Sequence, residues 1–259
     1  MRMMKKVLGT VTVLALSVSL LAGCGSTAAS PVSSAASTAA ESTTSSVVSE
    51  TTSAAADENE AAAAQLLNDL TGSYQELWPV ILADEYKQTW LDDCTALVGE
   101  ENAEAAFEKL SSMVTGDVYG EDAVEAYANG GGAYFCGFTN DLATLTFDGE
   151  TSTISGTDKD GNVLFSHTYH YIGMEPVRGL YEFESDDADS GEFTYFFLAP
   201  DTSAETYHIE FRYGSDAEAL SQYDAGEYAY WVASGISTDC DQTMIDNCIE
   251  LFCTENLAG

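Results

Sequence analysis

His208 and Glu210 are the residues of this chain whose types and spacing come nearest to metal chemistry. They lie in Thr206-Tyr207-His208-Ile209-Glu210-Phe211-Arg212-Tyr213. Extended backbone sends alternate side chains to opposite faces, so Tyr207, Ile209, Phe211 and Tyr213 share one face and His208 and Glu210 the other. An imidazole nitrogen beside a carboxylate oxygen is the start of a site for a hard or borderline metal ion. The same alternation also fits a face that simply meets water, with Glu210 paired to Arg212, and the residues by themselves leave both open. His167 and His170 are three apart on a neighbouring strand segment and so face opposite ways. His170 is the candidate third ligand, because His167 shares its face with Phe165, Tyr169 and Tyr171.

Other chemistries find less support. Asp158-Lys159-Asp160-Gly161 has acids at alternate positions, but its Gly comes fourth and no helix precedes it, which predicts a hairpin turn rather than a calcium loop. The run Asp186-Asp187-Ala188-Asp189 is expected to be a solvated loop. There is no nucleophile elbow, and Gly130-Gly131-Gly132 lacks the Lys and spacing of a phosphate cradle. An enzyme is not expected. With Cys24 set aside, Cys94, Cys136, Cys240, Cys248 and Cys253 remain. That odd number permits two disulfides and one thiol, with the pairing open, and no C-x-x-C points to a zinc knuckle or a redox motif.

The first residues set the address. Arg2, Lys5 and Lys6 form a positive n-region, Val7 to Leu20 an apolar run too short to stay as a spanning helix, and Ala22-Gly23 a small pair before Cys24. The pattern is similar to the bacterial lipobox. It predicts a signal peptide over 1–23, lipidation of Cys24, and an extracytoplasmic protein anchored to the cell membrane. Residues 24–57, nearly all Ser, Thr, Ala and Val, bury too little to fold and read as a leash spanning about 30 Å. The chain has 8 Lys plus Arg against 43 Asp plus Glu, a formal charge of −35. Losing three basic residues with the signal leaves −38, a field that repels nucleic acid and gathers cations while keeping an exported domain soluble.

The elements that must position His208 fall in residues 58–259, a length suited to one domain. Steps of three and four residues predict helices over Asn59–Leu70, Ser73–Leu82, Glu85–Val98 and Glu101–Val114, with a last segment near Asp122–Ala128. After Gly130 to Gly132 the period becomes two. Leu145–Phe147, Ser152–Ser155, Val163–Ile172, Gly179–Glu184, Phe193–Leu198 and Thr206–Tyr213 read as a meander of strands, with Tyr228 to Val232 a further candidate. A closing helix is expected over Asp241–Thr254, with Asp239 as its N-cap and Met244, Ile245, Cys248, Ile249 and Phe252 inward. The fold class is therefore α+β, an antiparallel barrel or strongly curved sheet with helical flanks.

Three stretches carry a family resemblance: Leu67 to Pro79 with its Tyr74 and Trp78 ahead of Pro79, Val177-Arg178-Gly179-Leu180-Tyr181, and His208 through Gly214-Ser215-Asp216. In this order they resemble the ZinT family of exported zinc-binding proteins, which also occurs as a domain of zinc-uptake lipoproteins. The resemblance implies a lipocalin-like β-barrel with an N-terminal helical flank and a C-terminal helix, and a zinc site of three histidines at one barrel mouth. The first histidine falls on His208, the second on Glu210, and the third near Phe196, which cannot ligate; the family's His-rich loop is missing. The implied role is capture of a divalent cation, zinc first, and delivery to an uptake system such as a metal ABC transporter. The alternative is a metal-free binding or interaction module of the same fold.

Overall fold

The computed structural model describes residues 58–200 and 208–258. The expected signal peptide, Cys24 and the leash lie outside the described residues, as does Tyr207. A helix through 58–69 (α1) leads into β1 (Gly72–Glu76), α2 (Leu77–Ile81), a 3-10 turn at Asp84–Tyr86, α3 (Lys87–Val98), α4 (Ala103–Val114) and α5 (Glu121–Ala126). Strands β2 (Thr144–Asp148), β3 (Thr153–Thr157), β4 (Val163–Met174), β5 (Tyr181–Ser185), β6 (Tyr195–Leu198) and β7 (His208–Gly214) follow. The short α6 (Ala217–Leu220), β8 (Ala233–Ser237) and α7 (Gln242–Leu257) complete the order. The strands close antiparallel in sequence order, β8 returning to β1, so the fold is an eight-stranded barrel with helices on its N- and C-terminal sides.

Alternation decides what fills the barrel. Phe183, Phe196 and Tyr213 stand directly across from one another on β5, β6 and β7, all at most 1% exposed. Ile209 and Phe211 join them from β7, Phe165 and Tyr169 from β4, and Leu145 and Phe147 from β2. Ring centroids stand 5.4 Å apart for Phe196–Tyr213 and 5.0 Å for Tyr213–Trp231. Side chains of this size fill a barrel of eight strands, as the geometry of that strand number allows.

Two strands differ from the sequence expectation. Ser73 to Glu76 was expected as helix, because Tyr74, Leu77, Trp78 and Ile81 follow helical spacing; the structure extends Gly72–Glu76 as β1, with Tyr74 inward, and begins the helix at Leu77. The late strand lies at Ala233–Ser237 rather than Tyr228–Val232. Its small residues allow close packing: a Cβ on Gly235 would stand 3.0 Å from Ile209 Cγ1 and 3.4 Å from the Gln75 carbonyl oxygen. Val177 and Arg178 sit in the β4–β5 turn, and Asp241, not Asp239, caps α7 by accepting from the Met244 N–H at 3.0 Å. The Asp158–Gly161 hairpin turn is present, with Asp158 accepting from the Asp160 and Asn162 N–H groups.

Outside the barrel, α2, α3, α4 and α7 pack on one another and on β8. Leu77, Trp78, Ile81, Trp90, Cys94, Leu110, Ile236, Ile249 and Cys253 form this second core. Buried Trp90 donates its indole N–H to the Ile81 carbonyl at 2.7 Å, and Phe252 meets both Trp78 and Trp90 edge-on.

Candidate functional site

β7 presents Ile209, Phe211 and Tyr213 to the barrel interior, as the alternation requires, and turns His208, Glu210 and Arg212 outward. In the ladder His208 stands across from Ile236 and Glu210 across from Ser234 on β8. That outward face is covered by helices rather than by water, so His208 and Glu210 are half-buried. Together they line a cavity of about 30 Å³, room for one water or ion, whose other walls are Leu77, Trp78 and Ile81 of α2 and Cys248, Leu251, Phe252 and Glu255 of α7. The α7 residues are spaced 248, 251, 252 and 255, one face of a helix. Cys248 and Glu255 thus line the same cavity, a placement the sequence does not give, since the spacing sets their shared face but not the strand that face covers.

Arg212, which the sequence allowed as a partner for Glu210, turns its guanidinium to backbone carbonyls. It is fully buried, lies 4.3 Å above the Tyr223 ring, and donates to the carbonyls of Leu220, Gln222 and Tyr228. Burial lowers its pKa. Behind the site, burial pushes the Cys136 thiol up to about 12, and the negative charge of Glu210 adds to the rise.

His170 is held elsewhere. β5 and β6 separate β4 from β7, and both histidines point outward, which places them more than about 10 Å apart at ordinary strand spacing. One ion cannot bridge them. His170 Nδ1 lies 2.8 Å from Asp186 Oδ1, and Thr168 Oγ1 donates to the other oxygen of that carboxylate at 2.9 Å. These two contacts, the hydroxyl first, hold the Asp186 carboxyl below its usual range. His167, on the inner side of β4, has Nδ1 2.8 Å from Asp187 Oδ2. The acidic run expected as a solvated loop therefore clasps both histidines of β4. Phe196, at the position the resemblance gives to a third ligand, is fully buried among the barrel rings. Among the described residues, no group of three or more His, Cys, Asp and Glu side chains is arranged to hold a metal ion.

The chain is similar in structure to a ZinT-like domain. The solved Zn(II)-bound ZinT-like domain of Streptococcus pneumoniae AdcA is 16% identical, with a TM-score of 0.45 over 71% of this chain and 89% of that one. Zn(II)-bound AdcA from the same organism is 16% identical with a TM-score of 0.41; the match covers 72% of this chain and 35% of AdcA, so the chain spans about a third of its length. No protein-family model matches the sequence, and no curated protein matches it.

Proposed function

We propose that this protein is an extracytoplasmic lipoprotein that binds a divalent cation, zinc first, at the seam between β7 and α7 and passes it to an uptake system without chemical turnover. The observation that carries the reading is that His208 and Glu210 line one ion-sized cavity walled by α2 and α7. Imidazole and carboxylate are donor types that zinc takes, and water fills positions that the protein leaves open. His208 and Glu210 are the proposed ligands. The pair is half-buried against apolar α2 and α7 side chains, which strengthens attraction for a cation, and the strongly acidic chain draws cations toward it. Two protein donors make a weaker site than three histidines would, which suits cargo that must be given up.

The test is calorimetric titration of zinc into the full chain purified without a metal-capturing tag, beside His208→Ala and Glu210→Gln. Weaker binding in both variants supports the site; isotherms identical to wild type, or none in any protein, overturn it. Address is tested separately. Cys24→Ala is expected to move the protein from the membrane to the soluble fraction, because the acyl chains contribute about 0.8 kcal/mol per buried methylene.

A further inference from the structure

Cys94 on α3 and Cys253 on α7 are fully buried and have their sulfurs 3.9 Å apart, although 159 residues separate them in the chain. We propose that these two thiols form a disulfide that ties α7 to α3, which resolves for one pair the connectivity that sequence leaves open. Closing from 3.9 Å to a bond of about 2.05 Å asks for a movement within reach of side-chain rotation about two χ1 bonds. The neighbourhood supports the pairing: Trp90, one turn before Cys94, packs against Phe252, the residue beside Cys253, with centroids 6.0 Å apart, so the two helices are already seated at this level. A Cys248–Cys253 link within α7 has no comparable geometry, since residues five apart on a helix point to different sides.

The oxidant is a disulfide, either a low-molecular-weight one or that of a thiol–disulfide oxidoreductase. The Cys94 thiol loses its proton and attacks a sulfur of R–S–S–R, forming a mixed disulfide and expelling RS⁻, which takes that proton. The Cys253 thiolate then attacks the Cys94 sulfur, forming the Cys94–Cys253 bond and releasing the second RSH. Two protein thiols are oxidised by two electrons and one external disulfide is reduced to two thiols. Burial raises the pKa of both thiols and closes them to reagents, so the exchange belongs to the time before α7 settles on α3. Once made, the bond is shielded from reductant by the same burial.

The experiment uses the full chain, unfolded and reduced, then refolded in a mixture of oxidised and reduced glutathione. Remaining thiols are blocked with N-ethylmaleimide in denaturant, and the unreduced protein is digested at Glu and mapped by mass spectrometry. The expected result is one species joining the Cys94 and Cys253 peptides, split by reductant, with Cys136 and Cys240 carrying maleimide. Maleimide on both Cys94 and Cys253, or a link from either to any other partner, overturns the proposal. The mapping needs no substitution, so a variant that fails to fold cannot obscure the answer.

Discussion

The barrel interior and the seam between barrel and helices are both apolar cores, yet they differ in what they hold. Inside, Phe165, Phe183, Phe196, Phe211 and Tyr213 fill the space between strands with rings. In the seam, Trp78, Trp90 and Phe252 share the space with four buried cysteines and the partly buried Cys240, and His208 and Glu210 reach its edge. The barrel is filled with rings, whereas the polar and thiol side chains collect where helices cover the sheet. The two faces of one strand thus serve different regions: Phe211 fills the barrel, and Glu210, one residue away, lines the cavity at the seam where the proposed function would lie.

The separation can be broken or sharpened by experiment. The largest effect is expected from Phe196→Ala, which removes a fully buried ring from the middle of the barrel and should cost about 3–5 kcal/mol in urea unfolding. Zinc titration of the folded fraction should be unchanged if the interior only supports. Next is reduction of the Cys94–Cys253 link, expected to lower stability by about 2–4 kcal/mol, or roughly 5–15 °C in Tm for a domain this size; an unmoved Tm would deny the seam this staple. His208→Ala should then weaken zinc binding about 10- to 100-fold with little loss of Tm, and wild-type affinity should fall as the pH is lowered, because protons compete with zinc for the imidazole. A fall in affinity in Phe196→Ala equal to that in His208→Ala would erase the distinction between the two regions.

The smallest effect concerns charge in the seam. Asp93 on α3 has its pKa raised, first by burial and then by repulsion from Glu250, Asp246 and Asp92. A carboxyl with a raised folded pKa binds its proton more readily in the folded than in the unfolded state, so its ionised form destabilises at neutral pH and the penalty fades as pH falls through the folded value toward about 3.9. Asp93→Asn should therefore raise Tm at pH 7, with the gain shrinking toward pH 4. A gain that persists at pH 4 would show that packing, not charge, is responsible.

Period two was enough to place six of the strands and the facing of His208 and Glu210, because each of those segments alternates by itself. β1 and β8 were not legible in this way. Tyr74 is the one strongly buried side chain of β1, and its distance from Leu77 and Trp78 imitates a helix; β8 is Ala-Ser-Gly-Ile-Ser, whose fitness for a strand lies in the close approach of its neighbours. Alternation also says which face a residue takes, not which strands lie side by side. His170 faces outward as expected, yet ring closure puts two strands between it and β7. Cys248 and Glu255 were hidden for the same reason, since nothing within α7 tells which part of the sheet it covers.

Arg212 links these regions in time as well as in space. Its guanidinium, sealed from solvent, draws together the carbonyls of Leu220, Gln222 and Tyr228, three points of the connection between α6 and β8. Tyr228, Ala229 and Trp231 of the same connection are buried, and Ala229 accepts from the Gly120 N–H at 2.7 Å, so its order is tied to β7 and to the barrel core together. The 220–228 segment is accordingly expected to open and close with the strand as one cooperative unit, its amides exchanging hydrogen at the slow rate of β7 and not at the fast rate of a surface loop.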